Sequence, residues 1–108
     1  MIKVFSFLKG RTDWTQEQFQ RWWLEEHVPN ARKLPGLRKY TVCLTTGSTT
    51  HPNDAPPFDG VAELWFDDRA ALEHAWFESA EGKLAVGESI ANMSQRWTII
   101  TEEHPIIG

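Results

Sequence analysis

Thr15-Gln16-Glu17-Gln18-Phe19-Gln20-Arg21-Trp22-Trp23-Leu24-Glu25-Glu26-His27-Val28-Pro29 is the stretch on which the fold turns. Thr15 and Gln18, three residues apart, make a capping-box pattern, in which each side chain can satisfy a free backbone N–H of an opening helical turn. Phe19, Trp22 and Trp23 then follow the i, i+3, i+4 spacing of one apolar helix face, while Glu17, Gln20, Arg21 and Glu25 occupy the rest. Pro29 disfavours helical geometry at Val28, so the helix is expected to end near His27. That histidine lies four residues after Trp23 and eight after Phe19, which puts its ring on the apolar stripe.

Strands flank this helix. Ile2 to Leu8 is short, β-branched and aromatic and stops at Lys9-Gly10, as a strand buried on at least one face would. Downstream, Pro35-Gly36 marks a turn with Gly36 expected at positive φ. From Leu37 to Leu44 the residues alternate, with Tyr40, Val42 and Leu44 on one face and Lys39, Thr41 and Cys43 on the other. Thr45 to Phe58 holds three prolines and reads as a long loop, a candidate lid. Val61 to Phe66 is a third strand. Asp67 or Asp68 can cap a second helix running through Leu72, Ala75 and Trp76, continued by a helical stretch from Ser79 to about Ala91. Arg96 to Glu103 closes the chain as a fourth strand, with Trp97, Ile99 and Thr101 opposed to Thr98, Ile100 and Glu102.

The order β-α-β-β-α-β is the α+β, ferredoxin-like plan, a four-stranded antiparallel sheet with both helices on one face. The other face is then bare and carries apolar side chains, so pairing with a second copy into a homodimer is the expected way to cover it. The 108 residues allow one domain, 1–108, with no repeat or linker. A formal charge of −4 without a basic cluster argues against nucleic acid. Cys43 is the only cysteine, so neither an internal disulfide nor a zinc site is expected, and the four histidines lack metal spacing. With no signal-peptide pattern and no membrane-length apolar run, a cytoplasmic protein without membrane contact is the expectation. Six Trp and six Phe supply flat, weakly polar surface suited to a core, an interface or a pocket for a small hydrophobic or aromatic ligand.

His27-x-Pro29, Lys33-Leu34-Pro35-Gly36-Leu37, Tyr40 and Glu63-Leu64-Trp65-Phe66, taken with the element order, resemble the EthD family within the dimeric α/β barrel group. The resemblance spans nearly the whole chain and implies a single EthD-like domain that pairs into a dimeric α/β barrel. Related members include methylmuconolactone isomerases and polyketide cyclases or dehydratases, so the resemblance does not choose among chemistries. It also implies that a histidine at the position of His27 lines the cavity in isomerase-like members, and it favours a pocket position for Tyr40. At Leu64, where methylmuconolactone isomerases are expected to carry a cysteine, this chain has a group without proton chemistry.

His27 is either a hydrogen-bonded core histidine or a general base that takes an acidic C–H or O–H proton. Tyr40 either donates to a developing enolate oxygen or is a half-buried strand aromatic. Glu63 is a second acid/base or, the favoured reading, a salt-bridge partner. Phe19, Trp23, Trp65 and Trp76 are candidates to contact the ligand, and with Trp22 and Trp97 they can equally form the core. His51, His74 and His104 read as peripheral. No cofactor is implied. Two functions follow. One is a cofactor-independent isomerase, cyclase or lyase acting on a small lactone, enol or polyketide-like carbonyl compound in catabolic or secondary metabolism. The other is a non-catalytic accessory protein that holds a hydrophobic metabolite, with cofactor-free oxidation beside an oxygenase as a further possibility.

Overall fold

The computed structural model describes residues 1–48 and 56–108. Its strands are β1 (Ile2–Gly10), β2 (Lys39–Leu44), β3 (Gly60–Phe66) and β4 (Met93–Glu102), all paired antiparallel in the order β2-β3-β1-β4. This is the ferredoxin-like order expected from the sequence. Register sorts the side chains into two faces. The row Tyr40, Leu64, Val4, Ile100 and the row Val42, Ala62, Ser6, Thr98 belong to one face. Lys39, Trp65, Lys3, Thr101 and Thr41, Glu63, Phe5, Ile99 belong to the other.

The helices cover the first face. Helix α1 (Gln16–Trp22) opens on the expected capping box: Thr15 Oγ1 accepts from Gln18 N–H at 3.1 Å while Gln18 Oε1 accepts from Thr15 N–H at 2.8 Å. The helix does not stop at His27. It widens into a π-turn (Trp23–His27) and continues as α2 (Val28–Ala31), with Val28 itself helical at φ −55°, ψ −44°. A proline removes one backbone N–H and crowds the carbonyl four residues back. The π-turn replaces the four-residue bond with the five-residue bond from Val28 N–H to Trp23 O, and the chain stays helical across Pro29.

The turn before β2 has Gly36 at φ +76°, a backbone region that side-chain-bearing residues avoid. Asp68 caps α3 (Arg69–Glu73), accepting from Ala71 N–H at 2.8 Å. A second π-turn (His74–Glu78) follows, and the expected continuous helix breaks at Ser79, whose backbone is extended. Ser79 accepts from Gly82 N–H and donates to Ala75 O, so it closes one helix and caps α4 (Ala80–Asn92). Gly82 permits this close approach, because a Cβ there would lie 2.0 Å from the Ala75 carbonyl oxygen.

Val4, Leu8, Phe19, Trp23, Leu34, Leu64 and Phe66 form the core between helices and sheet. Trp65 and Trp97, which sequence alone also allows in that core, stand on the far face, and Trp97 is 62% exposed. Half of the candidate lid, residues 49–55, lies outside the described residues. Among the described residues no helix is long and apolar enough to cross a membrane.

Candidate functional site

A cavity opens between the covered face of the sheet and the helices. Its floor is kept low by Ser6 and Ala62, and its roof by Gly82, Ala85 and Ser89 of α4, which fall on one side of that helix. Tyr40 on β2 and Arg96 on β4 bound the floor, and Trp23 and His27 descend from the π-turn. The free space is ≈ 30 Å³, enough for about two water centres, within ≈ 440 Å³ of empty volume counted out to the mouth. A larger ligand therefore requires side chains at the mouth, such as the half-exposed Trp76 and Val86, to move aside.

His27 is held from two sides. Its Nδ1 lies 2.7 Å from Glu88 Oε2, and the other carboxylate oxygen of Glu88 accepts from Asn30 Nδ2. The imidazole stacks on Trp22 with centroids 5.2 Å apart and planes 17° from parallel. A carboxylate at Nδ1 favours the tautomer with the proton there, which leaves Nε2 as the basic nitrogen. Nε2 makes no hydrogen bond with any described residue.

Tyr40 is half-buried on the same cavity. Burial pushes its phenol up from the usual value near 10, and the nearby Trp23 indole N–H opposes this only in part. The phenol is therefore a proton donor at neutral pH rather than a base. The approach of Trp23 falls short of a hydrogen bond, so its Nε1 is a buried donor without a partner among the described residues. Leaving a buried N–H unsatisfied is unfavourable by about 1–3 kcal/mol, which an acceptor atom entering the cavity would relieve.

Of the residues singled out from sequence, His27, Tyr40, Trp23 and Trp76 line this cavity together, as does Leu64. Phe19 does not; it is fully buried behind, with its ring 5.7 Å from those of both Trp22 and Trp23. Glu63 and Trp65 point to the opposite face. There Lys3 Nζ lies 2.7 Å from Glu63 Oε1, and this hydrogen bond holds the Glu63 carboxyl below the usual carboxylate range. The ion-pair reading of Glu63 fits this placement. Trp65 is sandwiched between Lys3 and Lys39, each ammonium under 5 Å from its ring, and donates to Glu103. His74 and His104 are exposed, and His51 lies outside the described residues.

Glu88, Asn30 and Arg96 were not singled out from sequence. Glu88 stands 61 positions from His27, and only the packing of α4 against the π-turn and α2 joins them. The one local signal was a lone acid among Ala85, Val86 and Ser89 on an otherwise inward-facing side of α4. Among the described residues no group of three His, Cys, Asp or Glu side chains is arranged to hold a metal ion.

Comparison with known proteins agrees with this architecture. An EthD family protein from Bacillus halodurans C-125 superposes with a TM-score of 0.83 at 26% identity, over 96% of this chain and 99% of that one. A dimeric protein of ferredoxin-like fold from Bacteroides fragilis superposes with a TM-score of 0.67 at 18% identity, over 94% of this chain and 95% of that one. In sequence the chain is 28% identical over 100 residues to a 4-carboxymethyl-4-methylbutenolide mutase of Pseudomonas reinekei, covering 82% of this chain and 91% of that protein. The EthD domain model matches residues 11–96, most of the length, and the chain belongs to the EthD family.

Proposed function

We propose that the cavity isomerises a small lactone or enol by proton transfer, with His27 as the base and Tyr40 and Trp23 as hydrogen-bond donors. The observation that carries the proposal is the convergence on one cavity of an imidazole oriented by Glu88 and a buried indole N–H that lacks an acceptor among the described residues. Similarity to a butenolide mutase supports the substrate class.

Nε2 of His27 takes the proton from a carbon next to the carbonyl, and the electron pair of that C–H bond moves onto the carbonyl oxygen. The resulting enolate oxygen accepts from Trp23 Nε1–H and the Tyr40 phenol. Glu88 stabilises the imidazolium through Nδ1–H while the charge exists. The imidazolium then returns the proton to a different carbon of the same enolate, which gives the isomer and regenerates neutral His27. With Leu64 where a cysteine is expected in methylmuconolactone isomerases, one base serves both transfers. A homodimer completes this reading: the far face exposes Trp97 and Ile99, and the similar Bacteroides protein is described as dimeric.

The test is exchange of carbon-bound protons in D₂O, followed by NMR on butenolides with alkyl and carboxymethyl substituents, beside the melting temperature. His27→Asn is expected to lower exchange by roughly 10²–10⁴-fold in a folded protein, the usual worth of a positioned base. A variant that loses about 1–3 kcal/mol of stability yet keeps full exchange per folded molecule would leave His27 structural and overturn the mechanism.

A further inference from the structure

We infer that Arg96 anchors a ligand carboxylate, so that the molecule taken by this cavity is a small monoanion with an acid group at one end and a carbonyl or enol oxygen at the other. The inference rests on the cavity being the ligand site proposed above and narrows what it accepts.

Among the described residues that line the cavity, Arg96 is the only Arg, Lys, Asp or Glu. Its partner across the ladder is Leu8, which puts its side chain on the helix-covered face with Ser6 and Ala62 rather than on the face that carries the lysine and glutamate pairs. It has no acidic partner among the described residues. Four of the other five arginines do: Arg11 pairs with Asp13, Arg21 with Glu17, Arg38 with Asp67 and Arg69 with Glu73. The fifth, Arg32, is exposed and does not line the cavity. Arg96 is also exposed, at the rim, but it lines the cavity, and burial of the remainder of its surface makes its charge less favourable. A partly desolvated guanidinium without a counter-charge is stabilised by an anion, and its planar fork matches both oxygens of a carboxylate. Glu88, the acid that holds His27 at this site, is committed to His27 and Asn30.

The layout gives the ligand a direction. Tyr40 and Arg96 rise from the two edge strands, three strand spacings apart across the sheet and four residues apart along it, roughly 19 Å at the backbone. The Trp23 N–H, without a partner among the described residues, lies on the Tyr40 side. One end of the site therefore offers neutral donors for a carbonyl oxygen, and the other offers a fixed positive charge.

Two probes separate the possibilities: a γ-lactone bearing a carboxymethyl group, and its neutral methyl ester, each titrated by the quenching of tryptophan fluorescence. The unaltered protein is expected to bind the acid about 10- to 100-fold more tightly than the ester, the range for hydrogen bonds to a charged group. Arg96→Gln should erase that preference while leaving ester affinity and melting temperature unchanged, and His27→Asn should leave the preference intact. Equal binding of acid and ester, or a preference that survives Arg96→Gln, overturns the inference. If the ester binds and the acid does not, Arg96 fails as an anchor while the lactone cavity stands. If neither binds, both readings fall together.

Discussion

Val4 and Phe5 are neighbours in β1, yet they belong to different physical worlds. Val4 is fully buried beneath the helices, in a row with Leu64 and Tyr40. Phe5 lies on the far face, with the Lys3 ammonium 4.7 Å from its ring centroid and Glu63 as its cross-strand partner. The covered face is mostly apolar and, away from the edge strand β4, closed apart from the cavity. The far face mixes aromatics with an ion-pair network and ends in the exposed Trp97 and Ile99. Both faces hold large apolar residues, but only the first is organised as an interior, and the second has the mixed character of a surface that meets another protein.

Placing the same charge at these two adjacent positions would sharpen the contrast. Val4→Asp puts an unpaired carboxylate into the core and is expected to destabilise the chain by about 3–5 kcal/mol, read from urea denaturation. Phe5→Asp should leave the monomer folded but weaken self-association by about 30-fold or more, the effect of losing one interface hot spot, measured by sedimentation at micromolar concentration. A Phe5→Asp chain that unfolds like Val4→Asp, or that pairs as well as the parent, breaks the distinction between the faces.

A smaller effect is expected at the ion pair. Glu63→Gln should cost about 1 kcal/mol or less, because both partners keep some solvent contact. Its pH dependence has a definite sign. Folding holds the Glu63 carboxyl below its ordinary value near 4.5, mainly through the Lys3 hydrogen bond. Its contribution is therefore present above that value and lost as pH falls through the lowered one. Melting curves taken from pH 6 down to pH 3 should show a shallower acid-side loss for Glu63→Gln than for the parent, and identical slopes would remove Glu63 from the stabilising network.

The two faces are not equally legible in the sequence. Strand β2 alternates cleanly, so its pattern alone assigns Tyr40, Val42 and Leu44 to one face. Strand β3 reads Val61, Ala62, Glu63, Leu64, Trp65, Phe66, with apolar residues of both parities. Nothing local then tells which parity meets the helices, so Trp65, and Glu63 in its acid/base reading, are candidates for the ligand although pairing turns them away from it. Local chemistry locates the capping box at Thr15, the positive φ at Gly36 and the cap at Asp68. His27, Tyr40, Trp23 and Trp76 can be found because each sits on a periodic face. Glu88 and Arg96 cannot, since what distinguishes them is the neighbour that folding gives, or fails to give, each of them.

The π-turn in the first helix has a further consequence, visible in its arithmetic. Phe19, Trp23, His27 and Ala31 are all buried, and they recur at intervals of four. In an uninterrupted α-helix each residue advances by about 100°, so each interval of four overshoots a full circle by roughly 40° and three intervals carry the last residue about 120° around the axis. Ala31 would have rotated off the sheet, and His27 would have drifted most of the way there. A turn that holds one extra residue advances less per residue and cancels much of that drift. The widened turn thus works as a phase correction: it keeps four inward residues in line over a length at which an ordinary helix would have turned its histidine to the side.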